Sequence, residues 1–262
     1  MAVAATLQSE KAQAVKPRLV NTAALNGFGC PPLMAGDRLT RAEFERRYEA
    51  TPEHVKAELI GGVVYMPSPL GWSHAHATRL ISNWLGAYQF VTPNVDGGDN
   101  ATTRMGADDE PQPDASLRLI EGGTSWLSAP VQTPRGKTVY LEGAPELIVE
   151  VAFSTASYDL YDKQETYRRN GVKEYLVWLL TEEQFVWFRL RDGDYVRVNP
   201  DRRGVIESTV FPGLRLKVKA LLAGRMNEVL AELQAGLASP AHAAFAAQQS
   251  RKMKTAKRRK RR

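Results

Sequence analysis

Glu146-Leu147-Ile148-Val149-Glu150-Val151-Ala152-Phe153 is the most apolar short run in the chain. Its length and β-branched content read as a strand buried on both faces, and so as the centre of a sheet. Residues 158–170 follow with helical character; Ser154 and Ser157 stand as caps before them, and Gly171 supplies the stop. Glu174 to Leu180 is then a second apolar strand. One residue in the opening run is out of place. Glu150 sits among apolar neighbours, and a buried carboxylate is costly unless it is paired or bound to a cation.

Working outward, Ala57-Glu58-Leu59-Ile60 and Val63-Val64-Tyr65-Met66 flank Gly61-Gly62, a strong signal for a two-residue hairpin. Glu58 therefore lies on a strand. Thr40-Arg41-Ala42-Glu43 is a capping box that opens a short helix. Trp72, Leu80, Ile81, Trp84, Leu85 and Tyr88 recur at helical spacing and predict an amphipathic helix over 72–90. Strands are expected at 101–105, at 115–120 behind Pro113, at 184–190 with 195–199, and at 205–211. Residues 121–138, rich in Gly, Ser, Thr and Pro, read as an irregular excursion. Leu221, Leu222, Met226, Val229, Leu230 and Leu233 mark a helix over 217–236. Hairpins and alternating elements together imply an α/β or α+β domain, a mixed sheet with helices on its faces. A doubly wound fold fits less well, because no Gly-rich phosphate loop follows a strand. The expected organisation is a leader over 1–36, the main domain over 37–222, a C-terminal helix over 223–248 and a disordered tail over 249–262.

Charge is unevenly spread. Nine of the 35 Lys and Arg residues lie in 251–262, which leaves 26 basic against 29 acidic residues in the rest. The body is mildly acidic and the tail strongly cationic. Arg251, Lys252, Lys254, Lys257, Arg258, Arg259, Lys260, Arg261 and Arg262 could hold nucleic acid through phosphate contacts; a merely solubilising tail is an equal reading. The single cysteine, Cys30, excludes an intramolecular disulfide and a cysteine-based zinc cage. No segment has the ~20 apolar residues of a membrane span, so no membrane partner is expected and a cytoplasmic location is the default.

Four residues carry the chemistry: Glu58, Asp114, Glu150 and Lys163. Carboxylates converging on one place suit a divalent cation, and Mg2+ commonly takes one or two of them with water and substrate phosphate. A lysine nearby can meet the phosphate. Taken singly, three have blander readings. Lys163 is at i+4 from Asp159, the spacing of an exposed ion pair. Asp114 follows a proline as turn residues do, and Glu58 could face water on its hairpin. His74 and His76, two apart, cannot share a helix face and read as capping or packing residues, with contact to substrate the lesser alternative. Trp126, Trp178 and Trp187 read as core.

The ordered set of motifs shifts these odds. Residues 57–66, Pro113-Asp114-Ala115-Ser116-Leu117, residues 143–151, Asp159-x-x-x-Lys163-x-x-x-Tyr167-x-x-x-Gly171-Val172-x-Glu174-Tyr175 and Phe211-Pro212-Gly213-Leu214 together resemble the Uma-two family of proposed restriction endonucleases, within the PD-(D/E)xK nuclease superfamily. The resemblance covers roughly residues 37–222. It implies a restriction-endonuclease-like core and Mg2+- or Mn2+-dependent DNA cleavage. Pro113-Asp114 matches the PD element, Glu150 the second acid and Glu58 the family's early glutamate. Asp114 and Glu150 would be the metal ligands. Ala152 stands where the superfamily pattern expects lysine, and Lys163 occupies the place from which the family supplies its own. The implied partner is DNA, with a homodimer favoured for cutting both strands. The rival readings are a DNA-binding or regulatory protein that keeps the fold without efficient cleavage, and a protein-interaction module.

Overall fold

Six strands form the central sheet, with Leu147–Ala152 at its heart. The computed structural model describes residues 29–52, 54–67, 71–133, 136–153, 158 and 160–259. In chain order the elements are α1 (Arg41–Glu49), β1 (Glu58–Ile60), β2 (Val63–Tyr65), α2 (Trp72–Gln89), β3 (Val95–Gly98), β4 (Thr103–Arg104), β5 (Ala115–Leu119), β6 (Ser125–Leu127), β7 (Val131–Thr133), β8 (Gly136–Thr138), β9 (Leu141–Gly143), β10 (Leu147–Ala152), α3 (Asp162–Arg169), β11 (Glu174–Leu179), β12 (Gln184–Arg191), β13 (Asp194–Val198), β14 (Val205–Glu207), β15 (Arg215–Lys217), α4 (Val218–Leu222), α5 (Met226–Leu237) and α6 (Pro240–Arg259).

The sheet order is β13-β12-β11-β10-β5-β3. β10 and β11 run parallel, as a strand–helix–strand crossover requires; the other neighbours are antiparallel. Alternation along β10 decides what lies on each face. Leu147, Val149 and Val151 join a core with Ile81, Trp84, Leu85 and Tyr88 of α2 and with Leu221, Val229 and Leu233 of the C-terminal helices. Ile148 and Ala152 point the other way, into a core with Tyr167 of α3, Tyr175 and Val177. Glu150 lies between those two in sequence and so projects on the α3 face. The hairpin β1-β2 is a separate two-stranded sheet. Its turn places Gly61 at φ +58° and Gly62 at φ +74°, the left-handed pair that glycine adopts without strain.

Several expectations are corrected. Residues 29–36, assigned to the leader, lie against the body: Cys30 and Leu33 are buried, and Gly36 donates to the Val64 carbonyl at 2.8 Å. The excursion over 121–138 contains three short strands, and its Trp126 is 60% exposed rather than core; Trp178 and Trp187 are buried. The helix over 217–236 is two helices, because Gly224 takes φ +68° and ends the first. The tail is helical through Arg259 rather than disordered. Pro240–Arg259 docks through His242, whose ring nitrogens lie 3.0 Å from Thr92 Oγ1 and 2.9 Å from the Leu237 carbonyl. Gln249 accepts from Asn94 Nδ2 at 2.8 Å. Those anchors precede the basic run, whose charges favour a helix C-terminus. Ser154, Ser157, Asp159 and Lys260 to Arg262 lie outside the described residues.

Leu147 is fully buried at the start of the central strand. Leu147→Ala is expected to cost about 2–5 kcal/mol through lost transfer energy and the cavity left behind. Urea unfolding checks this, with the midpoint lowered and the slope unchanged.

Candidate active site

Glu150 is 3% exposed, and α3 supplies what its charge requires. Lys163, in the first turn of α3, places its Nζ 3.0 Å from Glu150 Oε1. One turn on, Tyr167 donates its hydroxyl to the same oxygen at 2.6 Å. Lysine and tyrosine at i and i+4 share a helix face, and that face packs on β10. Lys163 is itself only 4% exposed.

The lysine reaches a second acid. Its Nζ is 3.1 Å from Glu58 Oε1, which also accepts from the Gln112 backbone N–H at 2.6 Å. Glu58 thus faces inward from β1 and is buried. Asp114 comes from the other side. The β5–β10 register pairs Ala115 with Val149, so one further step sets Asp114 opposite Glu150. Its Oδ2 accepts from the Val151 N–H at 2.8 Å and lies 3.3 Å from His74 Nε2. Its Oδ1 has no hydrogen bond among the described residues.

Glu58, Lys163 and Glu150 are therefore in direct contact, and Asp114 reaches the same strand through the Val151 N–H. Lys163 is a buried ammonium between two carboxylates rather than a solvent-facing side chain. Asp159, its proposed surface partner, lies outside the described residues. The position of Ala152 also becomes intelligible. Residue 152 projects on the same face as Glu150, where a lysine would fill the space; a methyl group leaves it to Lys163 arriving from the helix.

Two contributors escaped the sequence reading. His74, read as a capping or packing residue, contacts Asp114, while His76 stacks on exposed Trp72 instead. Tyr167 stood only as a family match, although its i+4 spacing from Lys163 was a usable signal. Burial pushes the Tyr167 hydroxyl well above the usual tyrosine range, and the nearby charges of Glu150 and Glu58 push the same way. It stays a neutral donor to Glu150.

The acids gathered here offer carboxylate oxygens, the type a hard divalent cation selects. Among the described residues, no group of three His, Cys, Asp or Glu is arranged to share a metal ion. The register sets Asp114, just before β5, opposite Glu150 of β10, and Mg2+ needs no more than one or two carboxylates from the protein. The residues fit such an ion in donor type and number.

Comparison with known proteins agrees with this architecture. A family model described as "Uma2: Putative restriction endonuclease" matches residues 41–219. The chain belongs to the Uma2 family. Within the solved structures it is similar to a protein from Anabaena variabilis ATCC 29413, titled a putative nuclease belonging to DUF820. The TM-score is 0.52 at 16% identity, over 71% of this chain and 98% of that one. At that identity the likeness concerns the fold: a mixed sheet flanked by helices. No curated protein matches the chain. The Uma2 match spans the hairpin, α2, β5, β10 and α3, and so every element that brings a residue to the site. No helix among the described residues is long and apolar enough to cross a membrane.

Raised tyrosine pKa values favour the fold only while the unfolded chain also keeps its protons. Tyr167 contributes no pH dependence below about pH 10, where both states are protonated. Above it, the unfolded state ionises first and stability falls as pH rises. Tyr167→Phe is expected to flatten that decline between about pH 10 and 11, measured by urea unfolding across the range. An unchanged alkaline slope would contradict the assignment.

Proposed function

We propose that this chain is a metal-dependent endonuclease that hydrolyses phosphodiester bonds in DNA. One observation carries the reading: a buried lysine is drawn to Glu150 and Glu58 beside the strand end where Asp114 faces Glu150. Buried charges that cost folding energy are expected where chemistry needs them. Membership in a family described as restriction endonucleases supports the same class.

Asp114 and Glu150 would hold Mg2+ or Mn2+. When bound, such an ion offsets phosphate charge and lowers the pKa of a coordinated water. The chain's own residues supply orientation. His74 steadies Asp114 from one side and the Val151 N–H from the other. Tyr167 fixes the rotamer of Glu150. Lys163 offers a preorganised positive charge to the scissile phosphate, where charge grows in the transition state. Glu58 aims that lysine and balances it while no substrate is bound. Arg251, Lys254, Lys257, Arg258 and Arg259, exposed on α6, would add sequence-independent phosphate contacts.

Supercoiled plasmid incubated with Mg2+ or Mn2+ tests the reading. The wild type is expected to nick or linearise it. Asp114→Ala, Glu150→Ala and Lys163→Ala are expected to lower the rate by at least about a hundredfold, the scale of losing one preorganised electrostatic contact. Equal cleavage by all four proteins would remove the assignment.

A second reading has its own support. Lys163 already pairs with both Glu58 and Glu150 without any ion, which suits a DNA-binding protein that does not cut. Metal-independent binding, lost on deletion of residues 251–262 and accompanied by no cleavage under either metal, would favour it.

A further inference from the structure

The hairpin that carries Glu58 does not belong to the six-stranded sheet. Glu58 and Lys163 therefore stand on elements whose mutual position the main hydrogen-bond ladder does not set. An isolated bridge between Leu59 and Glu110 ties the hairpin to the loop before Asp114. The next residue back in that loop is Asp109, 3% exposed, and its carboxylate reaches both elements.

On the hairpin side, Asp109 Oδ1 accepts the Gly61 N–H at 2.7 Å. This N–H belongs to the turn three residues from Glu58. On the helix side, Thr166 Oγ1 donates to Oδ1 at 3.3 Å and Asn170 Nδ2 to Oδ2 at 2.8 Å. Arg169 Nη2 lies 2.9 Å and 2.7 Å from the two oxygens. Lys163, Thr166 and Asn170 recur at i, i+3 and i+7, so one face of α3 carries the lysine at its start and the Asp109 contacts at its end. The carboxylate sits by the C-terminus of α3, where the helix dipole disfavours an anion. Stabilising the helix is thus a poor account of it. Joining helix to hairpin is a good one.

We propose that Asp109 is the positioning residue of this site, holding the Glu58 hairpin and the Lys163 helix in register. It touches none of the four candidate catalytic residues directly. Replacing one carboxylate oxygen with a donor NH2 breaks the Arg169 ion pair and leaves either the hairpin or the helix contacts short of an acceptor, so hairpin and helix shift apart. Lys163 then loses the geometry that its phosphate role needs, where about 1 Å is worth roughly a hundredfold in rate. The catalytic consequence rests on the nuclease reading above; the positional claim does not.

Two readouts separate them. Limiting acetic anhydride, with sites read by mass spectrometry, reports how often the Lys163 amine leaves its carboxylates. In Asp109→Asn its acetylation is expected to rise at least about fivefold through local opening, with Lys173 and Lys217 unchanged. On plasmid, kcat is expected to fall at least about tenfold with KM within about twofold, since orientation rather than binding is lost. If Asp109→Asn fails to fold, Arg169→Gln serves: it removes two of the hydrogen bonds from a half-exposed side chain. A smaller rise at Lys163 is expected there, and none in Arg168→Gln, whose Glu165 partner is exposed. A Lys163 rate equal to wild type in the folded variant overturns the proposal. Absence of cleavage by the wild type would sink the nuclease reading alone, because the acetylation arm still decides the role of Asp109.

Discussion

One ammonium group organises the candidate site of this molecule. Lys163 Nζ lies 3.0 Å from Glu150 and 3.1 Å from Glu58, with all three side chains largely removed from water. Taking such charges out of solvent costs several kcal/mol per ion, and mutual attraction offsets this only when geometry is good and remaining atoms are hydrogen-bonded. The geometry is close, and each carboxylate takes a further donor on the oxygen that meets the lysine. Glu150 also receives Tyr167, and Glu58 also receives the Gln112 N–H. Removing one partner from such a group costs about 3–5 kcal/mol, because the others stay buried and unpaired. The site is therefore tied to the stability of the fold.

That constraint explains the arrangement around it. β10 must present Glu150 toward α3, which its alternation does while Leu147, Val149 and Val151 fill the opposite core. α3 must lie over the end of β10, which the parallel crossover to β11 ensures. The hairpin must approach from outside the main sheet, and it is held by backbone pairing at Leu59 and by the Asp109 carboxylate. The strand contributes a methyl at Ala152, and the helix delivers the Lys163 amine to Glu150 on the same face.

The elements were readable because their signals are local. Gly61-Gly62 between two apolar pairs, the helical spacing from Trp72 to Tyr88, and the apolar run ending in Glu150 each depend only on near neighbours in sequence. Glu150 was legible as part of a site for the same reason, since a carboxylate within a buried strand is anomalous wherever it occurs. Lys163 was not: its spacing fits a surface pair equally well, and only the ordered family motifs favoured the buried role. His74 carried no signal for its contact with Asp114. Asp109 had still less, because Asp108-Asp109-Glu110 reads as a solvated acidic stretch and nothing local separates its members.

By itself, then, the sequence determined the strands, the principal helices, the hairpin turn and the one charge that had to be compensated. Periodicity and glycine conformation are properties of a short stretch of chain, so they survive without knowledge of its surroundings. The tertiary structure alone decided which group compensates that charge, that the basic run continues a docked helix as far as Arg259, and that Asp109 links hairpin to helix. Those outcomes depend on residues from 13 to 155 positions apart meeting in space, where the energy of a buried charge is set by whatever the fold brings beside it.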